Sequence, residues 1–286
     1  MTDVFEAFTK KIMEESEEER VKNFQQHVQE LALNVKQAGP DEIKKQLLIR
    51  RDLYGTLKNG TSQMRLLADY WWQSIDMYHD VLNKFGINPT KRFFDLNEYV
   101  LKMRVTNEIF VEVNEKNYVL EPINITKQQF IDDAPKFNSY YTGLYEDIIS
   151  ISFKPIAHGA LSLCRNQCKW TDNIPPNQLS NAKILDFMKM NFDYPYLFKP
   201  FDPIIRNALG HHGQLIDKES GMVTFIDREK QEIMYYREYI SKINHLIKIM
   251  VAAEFALQEL ALMMAGYEHI PDFEKYFESE IAPAFK

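Results

Sequence analysis

An arginine, an asparagine and a histidine lie close together at Arg206, Asn207 and His211, in the segment Asp-Pro-Ile-Ile-Arg-Asn-Ala-Leu-Gly-His-His-Gly of residues 202–213. The arginine guanidinium is a planar set of N–H donors that matches phosphate oxygens and stays charged. Histidine exchanges protons near neutral pH and serves as a general acid or base. These residue types favour chemistry at a phosphate group.

The sequence around these residues predicts a short helix. Asp202 can accept a backbone N–H as the N-cap, and Pro203 suits the first helical position, where no N–H is needed. Gly213 is predicted to end the helix in a left-handed turn. The three prolines Pro195, Pro200 and Pro203 fix backbone angles ahead of the helix and make its entry rigid.

Helical spacing of about 100° per residue separates two faces of this helix. The apolar face consists of Ile204, Ile205, Ala208 and Leu209. The opposite face carries Arg206, Asn207, Gly210 and His211. Asn207 lies one turn from His211, so its amide is predicted to orient the imidazole, while Gly210 leaves room for a ligand near the backbone. His212 falls on the apolar side and is the poorer candidate.

The sequence of residues 205–213, Ile-Arg-Asn-Ala-Leu-Gly-His-His-Gly, resembles the Arg-(Asn/polar)-x-x-x-His signature of the HEPN (higher eukaryotes and prokaryotes nucleotide-binding) superfamily. The resemblance is sharp over 202–213 and extends over about 138–265. Two positions depart from it, because Gly210 and His212 stand where relatives more often have Ala and Gly. The resemblance implies a small all-α bundle and a metal-independent ribonuclease of toxin–antitoxin, abortive-infection or antiviral defence systems.

Such a nuclease would cleave RNA by attack of the 2′-hydroxyl on the adjacent phosphate. His211 would transfer the proton, Arg206 would stabilise charge on the phosphate oxygens, and Asn207 would aim the imidazole. The products would be a 2′,3′-cyclic phosphate and a 5′-hydroxyl, and DNA, which lacks the 2′-hydroxyl, would not be cut. No cofactor and no metal are expected, since neighbouring histidines such as His211 and His212 point about 100° apart on a helix.

One motif supplies one histidine, whereas acid–base cleavage is better served by two. The resemblance implies a homodimer with a composite site at its interface, because HEPN relatives pair two motif helices in this way. Control by an antitoxin or a sensor protein is also expected. Gly210, His212, His158 and Arg165 are the candidate substrate contacts, and a structural role for His158 is the alternative.

Composition narrows the class of protein. The chain has 286 residues, 45% of them hydrophobic, a formal net charge of −7 and a pI of about 5.6. This charge argues against a general nucleic-acid coat but allows a local basic cleft. Cys164 and Cys168 lack the further ligands of a zinc site. With no signal peptide and no run of 18 apolar residues, a soluble cytoplasmic protein without a membrane span is expected.

Periodicity predicts a mostly α fold: a HEPN-like helical bundle with an N-terminal helical extension and one or two short β-hairpins. Helices are predicted over 3–38, 41–57, 62–85, 90–104, 156–169 and 180–192, with a further one from about residue 138 to Pro155. Hairpins are predicted from 109–113 with 118–121, and from 222–226 with 232–235. A last helix from 236 is predicted to end at Gly266. The predicted domains are an N-terminal region of residues 1–125 and a HEPN-like domain of residues 126–286.

Two other functions remain open on sequence alone. In one, the protein is a non-catalytic nucleotide- or protein-binding helical module, in which Arg206 holds a phosphate and His211 is structural. In the other, it is an interaction protein whose motif helix is part of the core. Loss of cleavage with retained nucleotide binding separates the first alternative from the nuclease.

Overall fold

A computed structural model describes residues 38–88, 113 and 116–285. The helices predicted over 3–38 and 90–104 lie outside these residues. By their internal contacts the residues form two compact units, Glu121–Met250 and the described part of Met1–Leu120 together with Val251–Lys286. The second unit begins at residue 121, and residues 251–286 belong to the first unit.

The first unit contains two helices at the predicted positions, α1 (Pro40–Lys58) and α2 (Ser62–Phe85). Thr61 caps α2 by accepting a hydrogen bond from the Met64 N–H, and Gly86 ends it in a left-handed conformation at φ 62°. Trp71 is fully buried in this unit and packs edge-on against the Tyr54 and Phe255 rings. Large aromatic side chains therefore form part of the core here.

The second unit contains short helices, one sheet and the start of a long helix. Its elements in chain order are α3 (Lys127–Asp132), α4 (Ala134–Ile148), a π-helical turn (Ile149–Phe153), α5 (Lys154–Leu163), α6 (Asn181–Asn191), α7 (Pro195–Phe198), α8 (Pro203–Gly210), β1 (Gln214–Ile216), β2 (Met222–Asp227), β3 (Lys230–Tyr235) and α9 (Tyr236–His269). Two 3-10 turns, Arg165–Gln167 and Pro176–Gln178, lie between α5 and α6. The fold class of the described residues is mostly α, as predicted.

The three strands form an antiparallel sheet in the order β1-β2-β3. The hairpin predicted from 222–226 and 232–235 is confirmed, with Thr224 opposite Ile233. β1 was not predicted; it pairs with β2 so that Leu215 lies opposite Thr224. The inward side chain of Phe225 packs against the Tyr239 ring, which joins the sheet to α9.

The hairpin predicted from 109–121 is wrong in its second half. Residues 116–120 form a turn, Asn117 takes a left-handed φ of 54°, and its carbonyl accepts the Leu120 N–H. Val113 is helical, and 109–112 lie outside the described residues. A left-handed asparagine thus closes a turn over 116–120, where the second strand of the hairpin was predicted to begin.

Three predicted helix ends are also wrong. Pro155 does not interrupt a helix but occupies the first turn of α5, which ends at Leu163 rather than at 169. Gly266 does not stop α9, which continues to His269. An added Cβ at Gly266 would lie 2.2 Å from the Phe273 ring, so this glycine allows close packing inside the first unit. No helix among the described residues is long and apolar enough to cross a membrane.

Candidate functional site

The motif helix α8 forms where the sequence predicted it. The Asp202 carboxylate caps it, with Oδ1 accepting hydrogen bonds from the N–H groups of Ile204 at 3.0 Å and Ile205 at 3.4 Å. Ile205 and Ala208 are fully buried. The helix packs its apolar face on β2 and α4, which leaves the polar face of the motif at the surface.

The entry of α8 is fixed by Tyr141 of α4. The Tyr141 hydroxyl accepts a hydrogen bond from the Asp202 N–H at 3.0 Å and donates one to the Pro200 carbonyl at 3.1 Å. Burial raises the pKa of Tyr141 well above its usual range, so the hydroxyl stays a donor. These two hydrogen bonds hold the backbone on either side of Phe201, directly before the motif helix.

The exit of α8 is fixed to β2. Gly213 N–H donates to the Ala208 carbonyl at 2.7 Å, and the Gly213 carbonyl accepts the Ile226 N–H at 2.8 Å. The left-handed residue is His212, at φ 58°, and not Gly213 as predicted. Gly213 is needed for a different reason, since an added Cβ would lie 2.2 Å from the Ile226 carbonyl oxygen.

Arg206 projects from the polar face of α8 and contacts Glu146 of α4. Its Nε and Nη2 donate to Glu146 Oε1 at 3.1 Å and 2.5 Å, and its Nη1 donates to Asn207 Oδ1 at 3.3 Å. The two charged side chains are 36% and 45% exposed. The guanidinium is therefore held in one position by a carboxylate, at a place that solvent reaches.

Asn207 connects the motif to the hairpin. Its Nδ2 donates to Asp227 Oδ2 at 2.9 Å, at the end of β2. In the part of the chain that the structure describes, no hydrogen bond joins Asn207 to the His211 ring, so the predicted orientation of the imidazole by this amide is not seen. The amide instead bridges Arg206 and Asp227.

His211 lies at the C-terminal end of α8, where its N–H donates to the Asn207 carbonyl at 3.1 Å. The side chains of His211 and His212 are exposed, and Gly210 beside them is exposed as well. No neighbouring atom lies within 4 Å of a Cβ built on Gly210, which agrees with the space for a ligand that the sequence predicted. Arg206 thus comes from the middle of one short helix and His211 from its C-terminal end.

The candidate contacts His158 and Arg165 belong to a different part of the second unit. His158 is half-buried on α5, which packs against α6 and the turn Pro176–Gln178. The Arg165 guanidinium donates to the Asp172 carbonyl and so closes its own loop. The structure therefore gives Arg165 a structural contact.

Sequence reasoning missed Glu146 and Asp227. Glu146 follows Tyr145 in an aromatic stretch of α4, and nothing distinguishes it from the many other acidic residues of the chain. Asp227 is the last residue of β2, directly before the turn of the second hairpin, and this place at a strand end close to the motif is the signal that could have found it. Among the described residues, no three His, Cys, Asp or Glu side chains form a group that could hold a metal ion.

Comparison of the chain with protein-family models, with curated proteins and with solved structures finds no match. The fold and the site therefore define only the class of the protein. It is mostly α with a small antiparallel sheet, and a capped helix with the sequence Arg-Asn-x-x-x-His packs on β2 and α4.

Proposed function

We propose that this protein is a metal-independent endoribonuclease of HEPN type. The observation that supports the proposal is the placing of Arg206 and His211. Both side chains reach solvent from one short helix, which Tyr141 fixes at its start and Gly213 fixes at its end. A site for phosphate chemistry needs such fixed donors beside an accessible proton carrier.

In the proposed reaction the 2′-oxygen of RNA attacks the adjacent phosphorus, and the bond from phosphorus to the 5′-oxygen breaks. The 2′-hydroxyl proton goes to a base, and the leaving 5′-oxygen receives a proton from an acid. Arg206 donates to the non-bridging oxygens, and His211 carries one of the two protons. A homodimer with a composite site would bring a second motif histidine, the partner's copy of His211, to the same phosphate.

The ion pair with Glu146 sets the first step of binding. The phosphate must replace the Glu146 carboxylate at Arg206, because one guanidinium edge cannot hold both anions in the same place. Since both side chains are more than a third exposed, the exchange costs little, of order 1 kcal/mol or less. A role as a cytoplasmic toxin or defence effector, controlled by an antitoxin or sensor protein, completes the proposal.

The test is cleavage of end-labelled single-stranded RNA and of a tRNA pool in EDTA by wild-type protein, Arg206→Ala and His211→Ala. Exposed residues of the same types, Arg237→Ala and His269→Ala, are the matched controls. We expect cleavage by the wild type and both controls, with 2′,3′-cyclic phosphate ends, and a loss of at least about a hundredfold in the two motif variants. Equal cleavage by all five proteins, with unchanged circular dichroism, would overturn the proposal.

A second function is favoured by one contact. Asn207 holds Arg206 and Asp227 rather than His211, which suits a helix that binds phosphate without transferring protons. The protein would then be a nucleotide-binding module. Calorimetry would show nucleotide binding that Arg206→Ala abolishes and His211→Ala preserves, with no RNA cleavage.

A further inference from the structure

Asp227 is joined to Arg206 through a single side-chain amide, that of Asn207. Arg206 Nη1 donates to Asn207 Oδ1 at 3.3 Å, and Asn207 Nδ2 donates to Asp227 Oδ2 at 2.9 Å. Asp227 is half-buried at the end of β2 and lies 20 residues from Asn207 in the sequence. A carboxylate of the sheet therefore contacts the same amide that contacts the guanidinium of the motif helix.

The Asp227 carboxylate determines which end of the Asn207 amide faces Arg206. An asparagine side chain has an accepting oxygen on one side and an NH₂ donor group on the other. Because an ionised carboxylate only accepts, Asp227 binds the Nδ2 side and leaves Oδ1 for the guanidinium. In the reverse orientation, donors would face donors at Arg206 and acceptors would face acceptors at Asp227. The carboxylate thus excludes the orientation in which Asn207 cannot hold Arg206.

Arg206 is held at two edges, and only one of them is needed for a phosphate. Glu146 Oε1 accepts from Nε and Nη2, and this is the edge at which the proposed reaction exchanges Glu146 for the substrate. Asn207 contacts Nη1 instead. Once phosphate replaces Glu146, the contact through Asn207 is the one hydrogen bond from the described part of the chain that still holds the guanidinium.

Other contacts already hold the backbone around Asp227. Asp227 pairs with Lys230 across the hairpin, and the Ile226 N–H donates to the Gly213 carbonyl. The start of α8 is capped by Asp202. The hairpin and the helix therefore have their own supports, and the contact of the Asp227 side chain with Asn207 is left to act on Arg206.

We propose that Asp227 is a positioning residue of the motif, which fixes the Asn207 amide so that Asn207 holds Arg206 in place while a phosphate is bound. The proposal rests on the proposed function for the reaction step that Arg206 serves. Displacement of a catalytic group by about 1 Å can slow a reaction about a hundredfold. A displaced guanidinium keeps its charge and still attracts the substrate, so the loss falls on kcat rather than on KM.

The test compares hairpin variants by their kcat and KM for cleavage of a short RNA. Asp227→Ala removes the acceptor, whereas Asp227→Asn keeps an oxygen to which Asn207 Nδ2 can donate. Glu229→Ala is the matched control, because it removes an exposed carboxylate from the turn that follows β2. Asp227→Ala is also made in the Arg206→Ala protein.

We expect Asp227→Ala to lower kcat about tenfold with KM changed less than about twofold, and Asp227→Asn and Glu229→Ala to stay within about threefold of the wild type. In the Arg206→Ala protein, Asp227→Ala should change kcat by less than about twofold, because no guanidinium is left to position. A wild-type kcat in Asp227→Ala would overturn the proposal. An equal loss with and without Arg206 would also overturn it, since Asp227 would then act independently of Arg206.

A second measurement does not depend on cleavage. NMR of protein with isotope-labelled arginine follows the rotation of the Arg206 guanidinium about its Cζ–Nε bond, and Arg206→Lys assigns the signal by its loss. We expect the rotation to be about threefold faster or more in Asp227→Ala than in Glu229→Ala, because Nη1 has lost a fixed acceptor. Equal rotation rates in these two variants would contradict the positioning of Arg206 by Asp227.

The two proposals can fail separately. If the wild type cuts no RNA and the rotation is still faster in Asp227→Ala, the positioning of Arg206 stands and the nuclease proposal fails. If the wild type cuts RNA and Asp227→Ala matches Glu229→Ala in kcat and in rotation, the nuclease proposal stands and the positioning role fails.

Discussion

Two arginine–glutamate pairs occupy opposite environments in the two units. Arg50 and Glu259 lie in the first unit with side chains only 12% and 2% exposed, and Arg50 Nε is 3.9 Å from Glu259 Oε2. Arg206 and Glu146 lie in the second unit, 36% and 45% exposed, with a distance of 2.5 Å. The buried pair is the looser one, and the exposed pair has the shorter contact.

This difference distinguishes a structural ion pair, Arg50 with Glu259, from a pair whose carboxylate can be exchanged for another anion, Arg206 with Glu146. The Arg50 guanidinium also donates to Gln258, yet neither carboxylate oxygen of Glu259 has a hydrogen-bond partner among the described residues. Burial raises the pKa of Glu254 and of Glu259 to about 7, and Arg50 opposes part of that effect. No ligand from solvent reaches such a group. Arg206 can exchange its carboxylate for another anion, and this is what a binding site requires.

The largest effect is expected on stability, from Arg50→Met. Removal of the cation leaves the buried Glu259 carboxyl without compensation, which typically costs about 3–5 kcal/mol. Arg206→Met breaks an exposed pair and should cost about 1 kcal/mol or less. Urea denaturation followed by circular dichroism measures both values. Equal losses in the two variants would remove the distinction between the pairs.

The buried carboxyls should also make stability depend on pH. The pKa of Glu259 is raised from 4.5 to about 7 in the folded protein, so the folded state binds more protons than the unfolded state between these values. The free energy of unfolding therefore falls as pH rises from about 4.5 to about 7, by roughly 1 kcal/mol per pH unit for each such carboxyl, and levels off above it.

Glu259→Gln keeps the shape of the side chain and cannot ionise. We expect the slope of unfolding free energy against pH to become shallower in this window. A slope that is the same in Glu259→Gln and the wild type would show that Glu259 ionises normally in the fold.

The two glycines of the motif should respond in opposite directions. In Gly213→Ala the new Cβ meets the Ile226 carbonyl at 2.2 Å, so the exit of α8 must shift, at a cost of about 1–3 kcal/mol. In Gly210→Ala the methyl group enters open space at the end of a helix and should stabilise by about 0.5–1 kcal/mol. Thermal unfolding compares the two. If Gly210 leaves room for RNA, Gly210→Ala also lowers the affinity for RNA despite its higher stability.

The smallest effect is expected from Glu146→Gln. The substitution removes the anion that competes for Arg206 and keeps a hydrogen-bond acceptor near it. RNA should bind a few-fold more tightly, while stability changes by less than about 1 kcal/mol. Fluorescence anisotropy measures the affinity for RNA. The matched control is Asp52→Asn, which removes an exposed carboxylate of the first unit. Weaker binding in Glu146→Gln would mean that Glu146 positions Arg206 rather than competing for it.

The sequence was sufficient to predict α1, α2, α6 and α8, because each carries its own signals. Thr61, Ser180 and Asp202 cap their helices as Ser, Thr and Asp do in general, and the apolar spacing behind them is regular. A cap and its apolar spacing depend only on residues within a few positions of each other, so the local sequence is enough to recognise them.

The errors come from contacts that join distant residues. Gly266 continues a helix because Phe273 packs against it, and Gly213 is needed for its approach to Ile226, neither of which spacing can show. In the site, the sequence placed Arg206 and His211 on one short helix but paired Asn207 with His211. The actual partner, Asp227, is twenty residues away and meets Asn207 only after β2 has folded onto α8.

The most direct test of the central proposal replaces the 2′-hydroxyl at one cleaved nucleotide by hydrogen. If Arg206 and His211 promote attack by that hydroxyl, a strand with this single 2′-deoxy position binds normally and is not cut there, while neighbouring ribonucleotide positions are cut as before. Cleavage that continues at the 2′-deoxy position would contradict the account, because the attacking oxygen would then have to come from water.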